Sequence, residues 1–161
     1  MNILFLDIDG VLNSRQWHSS ENCKVLGTSV KRFFDPVCVE YLNRIVNETE
    51  TKVVISSSWR ILRSLQNLQD LFKSIGFTGK IFGKTEDLSI FEPDTPSLRG
   101  VEIQNWIKDN QKHFKTPIKY IILDDEDDFL KEQKPFFFQT NPDTGLDTSI
   151  TEKIISFLSN Y

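Results

Sequence analysis

The N-terminal segment constrains this chain more than any other. Asn2-Ile3-Leu4-Phe5-Leu6 is a short apolar run without polar alternation, and it stops abruptly at Asp7-Ile8-Asp9-Gly10. A strand with one wet face alternates apolar and polar residues. An unbroken apolar run suits a strand buried on both faces, as in a parallel sheet. Alternation along an extended chain puts Asp7 and Asp9 on one side and Ile8 on the other. Two carboxylates so close repel, and they tolerate each other best around a cation or a shared proton. Gly10 permits the sharp exit from the strand.

The rest of the chain alternates strand and helix. Lys52-Val53-Val54-Ile55 reads as a second buried strand running into Ser56-Ser57-Ser58, and Lys80-Ile81-Phe82 as a short third. Ile118 and Tyr120-Ile121-Ile122-Leu123 form a strand ending in Asp124-Asp125-Glu126-Asp127-Asp128, and Phe136-Phe137-Phe138 a further one. Between them, Val37, Val39, Tyr41, Leu42, Ile45 and Val46 give a helical face, with Asp35 as N-cap and Pro36 at the first helical position. A second helix spans roughly 60–74, closed by Gly76. A loop with Pro93 and Pro96 precedes a third helix near 99–111. Ser149 and Glu152 form a capping box for a final helix. Residues 14–35 show no period and read as a loop or small flap. This order implies an α/β fold, a three-layer Rossmann-like parallel sheet with helices on both faces and right-handed crossovers. No repeat or linker interrupts it, so residues 1–161 are expected to form one domain.

Composition narrows the function classes. Nineteen Lys and Arg against 23 Asp and Glu leave a net charge of −4, which lacks the broad basic face that tracks a polynucleotide. Cys23 and Cys38 fit no zinc or redox spacing and read as free thiols in a reducing compartment. Two histidines, His18 and His113, argue against a histidine-rich metal site or a Ser-His nucleophile. No apolar run reaches signal-peptide or membrane-spanning length, so a cytoplasmic protein is expected.

In open α/β sheets ligands bind beyond the carboxyl ends of the strands. Three of the expected strands deliver acid or hydroxyl there: Asp7 and Asp9, the three serines, and the acids from Asp124. Asp7-Ile8-Asp9-Gly10-Val11-Leu12-Asn13 resembles the first motif of the haloacid dehalogenase-like superfamily of aspartyl-phosphate hydrolases. The resemblance implies that Asp7 attacks phosphorus, while Asp9 protonates the leaving group and then activates water. A carboxylate is a feasible nucleophile, and paired carboxyls divide their roles when their pKa values differ. An acid at position 9 favours phosphatases and phosphotransferases over dehalogenases.

The remaining motifs follow in order. Ser56-Ser57-Ser58-Trp59-Arg60 resembles the second, which implies a phosphoryl-binding hydroxyl at Ser57, with Ser58 beside it and Ser56 as rival. Plain N-capping competes as the reading of these serines. Arg99-Gly100-Val101-Glu102-Ile103 stands where the family places its motif cation, usually Lys. Arg99 is the expected cation and Lys84 the alternative. Leu123-Asp124-Asp125 resembles the acidic fourth motif, although charge runs are usually solvated loops. The implied Mg²⁺ site comprises the Asp7 carboxylate, the Asp9 carbonyl, and Asp125 or Asp124, with Asp128 as an outer partner.

The stretches before the second strand and between Ser57 and Arg99 are too short for an independently folded cap. A capless, open site suits substrates with bulky bodies, such as a phosphorylated polymer end or a protein. The expected partner is a phosphorylated small molecule or a nucleic-acid end. The set Ser57-Ser58-Trp59, Arg99 to Ile103 with Trp106, and Leu123-Asp124-Asp125 resembles the phosphatase-like domain of Swiss Army knife RNA-repair proteins. Trp17 and Trp59 are either packing residues or platforms for a base. The competing function classes are a phosphate- or nucleotide-binding regulatory module without turnover and a phosphotransferase.

Overall fold

Five strands form one sheet in the computed structural model, which describes residues 2–91 and 94–160. They are β1 (Asn2–Leu6), β2 (Lys52–Ile55), β3 (Ile81–Lys84), β4 (Lys119–Asp124) and β5 (Phe137–Gln139), in the order β3-β2-β1-β4-β5. Every pairing is parallel, and Leu6 lies opposite both Ile55 and Leu123. β1 is therefore the middle strand. Its unbroken apolar run follows from that position, because both of its faces are covered.

Residues alternate cleanly between the two faces. Leu4, Leu6, Val53, Ile55, Ile121 and Leu123 pack against α3 (Pro36–Thr49), α4 (Leu65–Ser74) and α6 (Thr148–Asn160). Ile3, Phe5, Val54 and Ile122 face α5 (Leu98–Gln111), which contributes Ile103 and Trp106. Phe5 meets Trp106 edge-on at 5.4 Å, a geometry that the ring quadrupole favours. The molecule is the three-layer α/β structure expected from the alternation.

Local signals fixed several boundaries. The Asp35 side chain accepts the amide of Val37 at 2.9 Å and Pro36 opens α3. Gly76 ends α4 at φ +88°, a conformation that costs a residue without Cβ little.

Three expectations need correction. Residues 14–35 are structured rather than a loose loop: α1 (Arg15–Ser19), α2 (Glu21–Lys24) and a 3₁₀ turn over Val30–Phe33. These pieces are too short to show a period, yet Ser14 and Ser20 cap the two helices and Trp17 anchors them. Its buried indole N–H donates to the Arg32 carbonyl at 2.8 Å. The helix expected over 60–74 starts only at Leu65, capped by Ser64. Residues 58–60 form a 3₁₀ turn instead, and Leu62 adopts the left-handed conformation at φ +58°. α6 is capped by Asp147, which accepts the amide of Ile150 at 2.9 Å, rather than by Ser149. Glu152 is drawn off to Arg44 on α3 at 2.6 Å. Pro93 of the expected loop lies outside the described residues.

Cys23 and Cys38 are separate, buried, free thiols, and burial pushes the Cys38 thiol up to about 12. No helix among the described residues is long and apolar enough to cross a membrane.

Candidate active site

The site grows out of the sheet's parity. The Asp7 amide donates to the Leu123 carbonyl at 3.0 Å, extending the β1–β4 ladder one step past β1. Asp7 and Asp124 therefore come next in register. Asp7 continues the parity of Ile3 and Phe5, and Asp124 that of Tyr120 and Ile122, both on the α5 side. Carboxylate oxygens of Asp7, Asp124 and Asp125 all lie within 4.8 Å of one another. Among the described residues, theirs is the cluster of acidic and metal-ligating side chains with that compactness.

Burial and mutual repulsion shape their ionisation. Asp7 is 8% exposed and Asp124 4%. Burial raises Asp7 from 3.8 to about 6, against the pull of the Arg99 guanidinium and a hydrogen bond from the Ser57 hydroxyl. Burial, then the Asp7 charge, raise Asp124 to about 8. Burial also raises Asp125, with Glu126 and Asp9 adding to the effect. A buried oxygen cluster that resists its own ionisation fits a hard divalent cation, whose charge would favour the ionised state of all three. Gly10 makes the approach of Asp125 feasible. A Cβ there would lie 2.4 Å from the Asp125 carboxyl, and φ is +74°.

Arg99 supplies the facing positive charge. It sits in the first turn of α5, with Nη1 3.8 Å from Asp7 Oδ1 and donating to the Ser56 carbonyl. Ser97 makes no side-chain cap there. Asp128 does the capping, with Oδ2 accepting the Arg99 amide at 3.2 Å. The side chain expected near the metal as an outer partner thus lies against the positive end of α5.

Ser57 is fully buried, beside Asp7, and its hydroxyl also accepts the Trp59 amide at 3.4 Å. Ser58 is exposed and lines the cleft. The Ser56 hydroxyl is buried without a hydrogen-bond partner. Lys84 does not reach the cleft. Its ammonium is held by the carbonyls of Arg60 at 3.1 Å and Arg63 at 2.6 Å. The reason is register: Lys84 pairs with Ile55, at the outer side of β2 from Asp7.

Sequence reasoning missed what fastens these parts together. Arg60 and Glu102 form a buried ion pair at 2.5 Å, their side chains 5% and 2% exposed. Arg60 also donates to the carbonyls of Ser57 at 2.8 Å, Thr85 at 3.2 Å and Glu86 at 3.1 Å. Glu102 in turn accepts the Leu88 amide at 3.0 Å. The pair joins the ends of β2 and β3 to the helix that carries Arg99. Both residues stood inside the second and third motifs, but nothing local marks a charge as buried.

Asp9 is held by two donors. Asn13 Nδ2 reaches one carboxylate oxygen at 2.9 Å and the Trp59 indole N–H reaches the other at 3.0 Å. Its side chain stands outside the trio of Asp7, Asp124 and Asp125. Trp17 is buried, and half-buried Trp59 makes edge contacts with Phe33 and Phe34 and has the Arg63 guanidinium over its ring. Trp17 is therefore a packing residue. Around the acids is a cleft of about 370 Å³, whose lining includes Arg99 of α5 and Arg15 and His18 of α1.

This arrangement presents a carboxylate, a second carboxyl fixed in orientation, a cation and a hydroxyl around one small space. It can take a phosphoryl group. Comparison with curated protein sequences and with solved structures gave no match. A family model described as the HAD domain in Swiss Army Knife RNA repair proteins matches residues 3–149, from β1 through the start of α6. With nearly the whole chain covered, the protein belongs to that HAD domain family.

Proposed function

We propose that the protein is a Mg²⁺-dependent phosphomonoesterase working through an aspartyl-phosphate on Asp7. The observation that carries this reading is the compact trio of Asp7, Asp124 and Asp125 facing Arg99 at the carboxyl ends of β1 and β4. Those three carboxylates would hold the metal. When bound, it supplies charge neutralisation for phosphate and carboxylate.

The chain's own groups divide the remaining work. An Asp7 oxygen attacks phosphorus, and the bond to the leaving oxygen breaks as Asp9 delivers its proton there. Asp9, now a carboxylate, takes a proton from water whose oxygen attacks the same phosphorus. The Asp7 O–P bond breaks, releasing inorganic phosphate and the free carboxylate. Asn13 and Trp59 keep Asp9 aimed through both steps, since each occupies one of its oxygens. Arg99 and the Ser58 hydroxyl, which line the cleft, orient the phosphoryl oxygens, while the buried Ser57 hydroxyl holds the Asp7 carboxyl in place. Among the described residues, the segment from Asn13 to Asp35 carries two short helices and a 3₁₀ turn, which suits a cleft open to substrates with a body larger than itself. We place the substrate among phosphorylated small molecules and nucleic-acid ends. The two free thiols support a reducing, cytoplasmic setting.

The test is phosphate release with Mg²⁺ from aryl phosphate, nucleotides and terminally phosphorylated oligonucleotides, by wild type and by Asp7→Asn. Turnover should need the metal and fall by about a thousand-fold or more in the variant. Equal rates for the two proteins would end the nucleophile assignment. Phosphate transfer to an added alcohol would identify a phosphotransferase. Tight binding of a phosphate analogue without turnover by wild type would favour a regulatory module.

A further inference from the structure

The two cationic rims of the cleft are not equivalent. Arg99 acts on Asp7 and Asp124, at the position of the reacting phosphoryl group. Arg15, on α1, lines the same cleft and lies near enough to Asp125 for its charge to act on that carboxyl. Arg15 and His18 are three apart on α1, so they share one helix face, and both line the cleft. The phosphoryl site has its cation already in Arg99. A second pair of basic groups at the same opening calls for a second negative group.

This rim is firmly placed, although its side chains are exposed. Ser14 caps α1, and the amides of Arg15 and Gln16 donate to the carbonyls of Pro142 at 3.0 Å and Asp143 at 3.2 Å. Trp17 is buried beneath the helix and bonded to Arg32. The helix is thus tied to two separate segments before any ligand arrives, which lowers the ordering cost of binding. Arg15 is committed only to Asp143, at 2.7 Å, with the two side chains 74% and 54% exposed. Such a pair is weak and exchanges readily for a phosphate, which the guanidinium fork can grip with two parallel hydrogen bonds. His18 makes an edge contact with Phe33 at 6.4 Å that leaves its ring at the opening.

We propose that Arg15 and His18 form a second anion subsite, and that the substrate is a phosphomonoester carrying another phosphate beside the scissile one. The cleft is at the small end for ligand sites, which typically hold roughly 300–1,000 Å³. It holds the reacting phosphoryl group and its nearest neighbour, and the rest of the substrate lies outside. A nucleoside bisphosphate and the phosphorylated end of an oligonucleotide share this chemistry. The inference rests on the phosphatase reading and narrows it.

The experiment compares kcat/KM, with Mg²⁺, for a nucleoside 5′-monophosphate, the matching 3′,5′-bisphosphate and a short oligonucleotide with a terminal phosphate. Wild type should prefer a two-phosphate substrate by about tenfold, the scale of one charge-assisted contact. Arg15→Ala and His18→Ala should each shrink that ratio through KM, and Arg15→Glu should erase it. Asp143→Asn, which releases Arg15 from its partner, should keep or raise the ratio. Preference for both two-phosphate substrates identifies a nucleotide-sized ligand, and preference for the oligonucleotide alone a nucleic-acid end. Turnover with a wild-type ratio near one, or with a ratio indifferent to Arg15→Ala, overturns the subsite and leaves the phosphatase standing. No turnover on any of the three overturns both.

Discussion

Two clusters of buried charge lie within a few residues of each other, and they are built on opposite principles. Arg60 and Glu102 are paired at 2.5 Å, and their remaining polar atoms are taken up by four backbone groups. Burial pushes both away from ionisation, Arg60 down and Glu102 up, while their mutual attraction resists in each case. Asp7, Asp124 and Asp125 have the same sign, with Arg99 beside Asp7 and the exposed Arg15 acting on Asp125. Their pKa values rise because burial outweighs the cations and hydrogen bonds that oppose it. The first cluster is closed and serves the fold. The second is left short of positive charge, the pattern of a site that expects a cation.

The contrast breaks most visibly at the closed pair. Glu102→Ala strands a buried guanidinium and should cost about 3–5 kcal/mol in urea unfolding. The double change Arg60→Met with Glu102→Leu should recover much of that, because no charge is left unpaired. A double variant as unstable as the single one would show that the backbone bonds of Arg60, not the ion pair, hold the junction.

The open cluster should behave in the reverse sense. Its carboxyls have folded pKa values above the unfolded value of 3.8, about 6 for Asp7 and about 8 for Asp124. The native state therefore holds more protons than the unfolded chain in that range. In metal-free buffer, the stability they contribute is full below about pH 4 and is lost as pH rises through 6 and then 8. Mg²⁺ must displace the remaining protons, so its apparent affinity should climb over the same interval. Asp124→Asn should flatten the metal-free stability profile. An unchanged slope in that variant would remove Asp124 from the account.

Two smaller effects sharpen the picture. Gly10→Ala places a methyl group against the Asp125 carboxyl at a positive φ. It should cost about 1–2 kcal/mol in unfolding and weaken Mg²⁺ binding measured by calorimetry. Trp59→Phe keeps most of the packing on Phe34 but removes one donor to Asp9. It should lower kcat about tenfold with KM little changed, the scale of one lost hydrogen bond to a charged group. A shift in KM alone would assign Trp59 to substrate binding.

Much of the frame was legible because its signals are local. The apolar runs of β1, β2 and β4 name strands covered on both faces, and Asp35, Pro36 and Gly76 mark helix ends by their own chemistry. Residues ending those strands were legible as a site, since parallel strands discharge at one rim. The segment 14–35 was opaque because its helices are shorter than any period. The cap of α6 was misplaced for a different reason: Ser149 and Asp147 both suit the role, and the partner Glu152 is claimed by Arg44, a residue far away in the chain.

The sequence by itself determined which residue types stand at the strand ends, because hydrophobic pattern and alternation act over a few residues. It could not decide between Arg99 and Lys84, nor set Asp128 against α5, nor pair Arg60 with Glu102. Those outcomes depend on strand order and on where a helix begins relative to a neighbouring strand. Burial converts them into energy, since a charge in water is nearly indifferent to its neighbours and a charge in the interior is not.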